Sequence, residues 1–244
     1  MLTHNNYLPA HNIRTALALD GLLLPQALEL ADTLGGFFDI FKVSDLVDRY
    51  GANVIRQLAK RKPVFVDTKL HDTPTTVMNR ANVYREAGAS FVSVHAEEEI
   101  LKAASLILAG TGTKVIAVTE LTSKEDDPDI VDKVLRKAQL AMRCGIDMVT
   151  CSGFEAVTLR RSFNYRNLQL LIPGIVPDWA PKPVGQERMV DHRDALKQTE
   201  GRDCTLVIGR VVTQAKAYGM LPRQVAQRIL VELLPPGSLI DKTA

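Results

Sequence analysis

The sequence predicts an α/β protein folded as a single (β/α)8 domain, the TIM-barrel architecture. Three observations predict it. Eight short, near-continuously apolar runs recur along the 244 residues, each followed by a longer stretch with helical periodicity. The runs are β-rich on both of their alternating faces, as strands of a parallel sheet buried on both sides are. A doubly wound open sheet would usually carry a Gly-rich turn after its first strand, and here the chain reads Asp20-Gly21-Leu22.

In chain order the runs are TALALD (15–20), FFDIFKV (37–43), PVFVDTK (63–69), SFVSVHA (90–96), KVIAVTE (114–120), IDMVTCS (146–152), LQLLIPG (168–174) and CTLVIG (204–209). Between them lie the amphipathic stretches PQALELADTL, DLVDRYGANVIRQLAK, TTVMNRANVYREAG and PDIVDKVLRKAQLAMRCG, and GMLPRQVAQRILVELL supplies a last helix after the eighth run. Gly88 and Gly145 close two of these helices, glycine being the expected residue just past a helix end. The stretch 173–194 is the one long loop-like region, and loops of that length in a compact domain are often functional. No linker or low-complexity segment divides the chain, so one domain is expected over 1–244.

Composition narrows the function classes. Lys+Arg 30 against Asp+Glu 28 gives a net charge of +2, and no basic block exceeds Lys60-Arg61-Lys62. A nucleic-acid protein held by a broad electrostatic footprint is therefore not expected. Cys144, Cys151 and Cys204 lack metal-ligand spacing and are too few for a disulfide scaffold, so reduced, buried thiols are expected. The opening MLTHNNYLPAHN has no charged-then-apolar signal, and no apolar run is long enough to span a bilayer. A cytoplasmic protein with no membrane partner is expected.

In a barrel the active site sits at the carboxyl ends of the strands. The polar residues there are Asp20, Lys42, Asp67, Lys69, Asp72, His95, Glu120, Thr122, Ser123, Ser152 and Arg210. The third run is the most unusual. Asp67 and Lys69 are two apart on a strand and point to one face. An acid and a base inside an apolar strand end cost desolvation energy unless they are paired. Asp72 follows as the chain leaves the strand, and Lys42 closes the neighbouring run, so the four can form an alternating Lys–Asp–Lys–Asp array. A purely structural ion-pair network closing the barrel top is the plainer alternative. His95 lacks a second histidine at ligand spacing, and Ser152 lacks a Gly-x-Ser-x-Gly context, so neither is expected to be a metal ligand or a nucleophile.

VFVDTKLHDTPTTV resembles the Asp-x-Lys-x-x-Asp-x-Pro-x-Thr signature of the orotidine 5′-phosphate decarboxylases. LALD (17–20), FKVS (41–44), VTELTS (118–123), PGI (173–175), GQER (185–188) and VIGR (207–210) resemble further elements of that family in the expected order. The resemblance implies cofactor-independent, metal-free removal of CO2 from orotidine 5′-monophosphate, in pyrimidine biosynthesis. Lys69 would face the carbanion developing at C6 and then protonate it. Asp67 would lie beside the substrate carboxylate and hold Lys69. Asp20 and Lys42 would bind ribose hydroxyls, Thr122 would touch the pyrimidine, and Gln186, Gly209 and Arg210 would hold the phosphate. Asp72 and Thr76 would enter the site of a neighbouring subunit, which implies a homodimer with shared active sites.

The chain also departs from the family pattern. Thr73 and Thr75 replace the more usual Ile and Asn, and Val176 stands where bacterial members often carry a phosphate-binding arginine. Glu97-Glu98-Glu99 would repel a phosphate if they faced it, and Trp179, Lys182 and Arg188, carried by the long 173–194 loop, are candidates to compensate as a lid. Two other functions remain open. A Mg2+-dependent sugar-phosphate lyase of the same superfamily (hexulose-phosphate synthase or ketogulonate-phosphate decarboxylase) shares Asp-x-Lys-x-x-Asp. It needs an acid on the second strand, however, where this chain has Lys42, which cannot ligate a cation. A non-catalytic nucleotide-binding barrel is the other.

Overall fold

The structure, a computed structural model, describes residues 13–121, 127–162, 168–182, 188–199 and 203–233. Its first half runs β1 (Ile13–Ala18), α1 (Leu24–Leu34), β2 (Ile40–Val43), α2 (Asp45–Tyr50), α3 (Asn53–Ala59), β3 (Val64–Leu70), α4 (Pro74–Glu86), β4 (Phe91–His95) and α5 (Glu98–Leu108). The second half runs β5 (Lys114–Val118), α6 (Ile130–Arg143), β6 (Met148–Thr150), α7 (Gly153–Arg161), β7 (Gln169–Ile172), α8 (His192–Gln198), β8 (Cys204–Ile208), α9 (Arg210–Thr213) and α10 (Pro222–Leu233). Among the described residues each strand pairs in parallel with its neighbours in sequence, and β1 pairs with β8. The sheet therefore closes into the expected barrel and has no free edge.

Strand side chains alternate, so every barrel strand sends one set outward under the helices and the other inward. The outward set, including Leu17, Phe41, Val66, Val92, Ala117 and Val149, joins the helices in the main core. The inward set forms a separate apolar plug of Ala16, Ile40, Phe65, Phe91, Ile116, Met148, Leu171 and Val207. Two residues further along four of the strands the layer changes character: Lys42 follows Ile40, Asp67 follows Phe65, Ser93 follows Phe91 and Thr150 follows Met148. The barrel is thus dry at its centre and polar at its carboxyl end.

Two elements differ from expectation. The amphipathic stretch 45–60 is not one helix: Gly51, at φ 63°, breaks it into α2 and α3. The second strand begins at Ile40 rather than at Phe37, because the Asp39 carboxylate takes the Thr15 amide at 2.8 Å in place of a ladder bond. Gly88 and Gly145 do close α4 and α6, at φ 97° and 76°. Cys151 and Cys204 are buried and Cys144 half-buried, and all three are free thiols. Burial pushes the Cys151 thiol up to about 12.

Candidate active site

A cavity of about 410 Å3 opens at the carboxyl end of the barrel. Its floor is the polar layer just above the plug. Asp20, Lys42, Asp67 and Lys69 line it from β1 to β3, Glu120 and Thr150 from β5 and β6, and Gly209 and Arg210 from β8, the strand next to β1. The wall from Pro173 to Val176 is apolar.

The charged floor is a continuous chain of alternating sign. Lys42 Nζ donates to Asp20 Oδ2 at 2.5 Å and to Asp67 Oδ2 at 3.2 Å. Lys69 Nζ reaches the same Asp67 oxygen at 2.9 Å. Burial alone would push the Lys42 ammonium down, but the Asp67 and Asp20 carboxylates outweigh it and hold the group well above the ordinary lysine value. Burial would likewise raise Asp67, yet Lys42 and Lys69 hold its carboxyl below the usual carboxylate range. Lys42 and Asp67 are therefore both charged at neutral pH. The other Asp20 oxygen, Oδ1, is buried in the cavity wall and accepts no hydrogen bond among the described residues. It is an acceptor available to a ligand hydroxyl.

The backbone beneath Lys69 is irregular. Val66 pairs with Val92, but the next pairing is Leu70 with Val94, so β3 bulges by two residues between them. Lys69 lies at φ 47°, a left-handed conformation that costs a lysine about 1–3 kcal/mol and recurs at functional sites. Ser93 on β4 supports the bulge: its Oγ accepts from the Lys69 amide at 2.9 Å and donates to Asp67 Oδ1 at 3.0 Å. Ser93 is fully buried. Sequence reasoning passed over it, although an inward serine between two valines, one layer above Phe91, was the available signal.

Asp72 and Thr76 do not join this floor. Asp72 lies beyond β3, where its Oδ1 accepts from the Thr73 amide at 2.7 Å, and Thr76 pairs with Thr73 at 3.0 Å in the first turn of α4. Within one chain the array is Asp20–Lys42–Asp67–Lys69, with Asp20 extending it at the Lys42 end rather than beside Lys69, where Asp72 was expected. Asp72 lines a separate outer groove with His71 and Glu97 to Glu99. Those three acids therefore face away from the cavity. His71 Nε2 meets Glu97 at 2.9 Å, and its ring lies 4.8 Å from that of His95.

Among the described residues, Trp179, Lys182 and Arg188 do not line the cavity. Trp179 Nε1 donates to Glu232 on α10 at 3.1 Å, and its ring lies under the Arg228 guanidinium. Arg188 turns to Ser152 and Glu155, and Lys182 is exposed and does not line the cavity. Thr122, Ser123 and Gln186 lie outside the described residues. Gln214, which the sequence did not single out, follows α9 one helical turn after Arg210 and lines the cavity mouth beside it.

A closed (β/α)8 barrel with a buried, charge-alternating cluster and a cavity at the carboxyl ends of its strands is built as an enzyme. Residues 14–229 match the family model described as "Orotidine 5'-phosphate decarboxylase / HUMPS family", and the chain belongs to that family. It is 33% identical over 231 residues to the orotidine 5'-phosphate decarboxylase of Caulobacter sp. (strain K31), covering 90% of this chain and 96% of that protein. It is 36% identical over 218 residues to the enzyme of the same name from Tolumonas auensis, covering 83% and 92%. The crystal structure of orotidine 5'-phosphate decarboxylase from Lactobacillus acidophilus superposes with a TM-score of 0.71 at 27% identity, over 91% of this chain and 99% of that one.

Proposed function

We propose that this protein decarboxylates orotidine 5′-monophosphate to uridine 5′-monophosphate, without metal or cofactor. The observation that carries the reading is the Asp20–Lys42–Asp67–Lys69 chain on the cavity floor. Loss of CO2 from C6 leaves an in-plane carbanion that the ring π-system cannot delocalise. The protein must then offer a fixed positive charge and a proton, and Lys69 supplies both. A cation about 4 Å from a new unit charge is worth roughly 4 kcal/mol at an effective dielectric of 20. The remainder of the ~8–23 kcal/mol that enzymes typically supply comes from preorganisation and from binding the non-reacting parts.

Preorganisation is what the neighbours contribute. Asp67 and the bulge fix the Lys69 ammonium before substrate arrives, and Lys42 keeps Asp67 ionised. Asp20, with its unsatisfied oxygen, and Lys42 take the ribose hydroxyls. Arg210 and the Gly209 amide take the phosphate at the far end, where a side chain at 209 would meet Ala18 at 3.3 Å. Gln186 is the second phosphate contact and Thr122 the contact to the pyrimidine. Asp72 and Thr76, which lie outside their own cavity, serve the site of a second copy, so the working unit is a homodimer with shared sites. The reaction belongs to pyrimidine biosynthesis in the cytoplasm. Among the described residues no helix is long and apolar enough to cross a membrane.

A Mg2+-dependent lyase reading meets an obstacle at Lys42. Its ammonium occupies the space between the two carboxylates that would otherwise ligate a cation. The test is the ultraviolet absorbance change of orotidine 5′-monophosphate with purified protein in EDTA. Turnover that disappears in Lys69→Ala supports the decarboxylase. A folded protein inert in EDTA but active on a sugar phosphate with Mg2+ would reverse the reading.

A further inference from the structure

Ser152, Glu155 and Arg188 form a buried polar cluster that touches no part of the charged floor. Ser152 caps α7: its Oγ accepts from the Phe154 amide at 3.2 Å, and its own amide donates to Glu155 Oε2 at 2.8 Å. This is the Ser-x-x-Glu capping box, which normally spends its side chains on the helix end alone. Here it does more. Ser152 Oγ also accepts from Arg188 Nη2 at 2.8 Å, and Arg188 pairs with the other oxygen of Glu155. Both Ser152 and Glu155 are 1% exposed, so the guanidinium neutralises a carboxylate that has almost no access to water.

Arg188 lies on the returning limb of the loop between β7 and α8, and that limb backs the cavity wall. The Val190 amide donates to Gly174 O at 3.1 Å, and the Val176 amide donates to Val190 O at 3.0 Å. Gly174 sits at φ 75°, where an added side chain would meet Arg188 O at 3.2 Å. Val190 in turn presses on Gly153, the residue next to Ser152. A continuous path thus runs from the end of β6, through Arg188 and Val190, to the wall that follows β7, the strand next to the one that leads to Arg210.

We infer that Arg188 is a positioning residue: clamped by Ser152 and Glu155, it sets the Gly174–Val176 wall at the distance that a nucleotide phosphate needs from Arg210. This rests on the decarboxylase reading for the identity of the ligand, but the clamp itself does not. Because the wall carries apolar side chains and no cation, its contribution to phosphate binding is one of shape. Shape held by a single buried cluster is lost when the cluster is cut.

The experiment uses the full chain and two variants, Arg188→Ala and Glu155→Gln, with Arg188→Lys as the conservative control. Arg188→Ala should raise KM for orotidine 5′-monophosphate and weaken inhibition by uridine 5′-monophosphate about tenfold, with kcat changed less than about threefold. Inhibition by uridine, which has no phosphate, should change less than about twofold, because a displaced wall touches only the phosphate end. Arg188→Lys should restore part of the loss. Amide exchange at Val176 and Val190 should quicken about tenfold in Arg188→Ala while Ile116 and Val207 in the barrel stay protected. Glu155→Gln carries the same readouts should Arg188→Ala not fold. Unchanged exchange at Val176 and Val190 overturns the clamp, and an equal loss of uridine and nucleotide binding overturns its phosphate role. Wild-type protein without turnover would refute the decarboxylase reading alone. Exchange and the binding of inorganic phosphate would then decide the clamp.

Discussion

Asp67 holds the Lys69 ammonium at 2.9 Å from a position only two residues back along the same strand. In a regular strand both side chains would rise in parallel from one face. Here the bulge and the left-handed φ of Lys69 turn the lysine back toward its neighbour, and Ser93 fixes both from β4. A backbone bulge, two hydrogen bonds of Ser93 and the Asp67 ion pair therefore restrict one flexible side chain, which is how a lysine with four rotatable bonds becomes preorganised.

The first prediction concerns Lys69 itself. Lys69→Ala should lower kcat for orotidine 5′-monophosphate by at least about 1,000-fold, the equivalent of the roughly 4 kcal/mol assigned to its charge. Lys69→Arg should not rescue, because a guanidinium does not give up its proton. Inhibition by uridine 5′-monophosphate should persist within a few-fold in both variants, since the phosphate and ribose contacts are elsewhere. Progress curves by ultraviolet absorbance, with the product as inhibitor, check both halves.

Cutting the array at Lys42 should damage stability as well as activity. Lys42→Ala removes the cation between Asp20 and Asp67, leaving Asp67 with Lys69 and a partly exposed Asp20 with no described cation. Breaking a buried pair on one side costs about 3–5 kcal/mol, and a half-exposed Lys69 compensates only in part. The paired change Lys42→Met with Asp67→Asn should be less destabilised than Lys42→Ala alone, though inactive. Urea unfolding midpoints of the three proteins, compared at constant m-value, test this.

How far the sequence carried the reading can be judged from particular residues. The barrel was legible because apolar runs of strand length alternate with amphipathic stretches, a pattern set by burial on both faces of a parallel sheet. Lys42, Asp67 and Lys69 were legible because charge at an inward strand position is too costly to be idle. The split at Gly51 was not legible, since the apolar periodicity of 45–60 runs through the glycine unbroken and only its φ breaks the helix. The extension of the array to Asp20 at its Lys42 end was also hidden. It depends on how β1 and β2 register, with Ala18 opposite Lys42, and register is a tertiary property. Arg188 was visible as a cation near the expected phosphate, but its capture by Glu155 required knowing that β6 and the returning loop lie side by side.

The pH dependence of stability should have an identifiable carboxylate component. Asp67 has its folded pKa held below its unfolded value, so between the two the unfolded chain binds more protons and stability rises with pH. Its contribution is complete above about pH 4 and is lost as pH falls through the folded value. Lys42 has the opposite sign: its folded pKa is raised, so its contribution is present below about pH 10.4 and is lost only as pH climbs through the folded value. In thermal scans from pH 5 down to pH 3, wild-type Tm should fall more steeply than that of Asp67→Asn. Parallel slopes would remove Asp67 from the acid limb.

The last prediction exploits the apolar wall. Among the described residues lining the cavity at its phosphate end, Arg210 is the cation, and Val176 lines the same cavity after the neighbouring strand β7, in a wall with Pro173, Gly174 and Ile175. Val176 is 8% exposed and borders open cavity, so a longer side chain can enter the cavity rather than the core. Val176→Arg should place a second guanidinium against the phosphate and contribute about 1.5–3 kcal/mol of charge-assisted hydrogen bonding, about tenfold or more in KM. Because the phosphate does not react, kcat should stay within a few-fold unless product release becomes limiting, in which case kcat falls as KM falls. The gain should shrink as salt rises from 50 to 500 mM, where exposed charges are screened. A KM indifferent to the substitution at low salt would mean that the phosphate is bound away from this wall. The clamp at Arg188 would then be holding a surface that the substrate never touches.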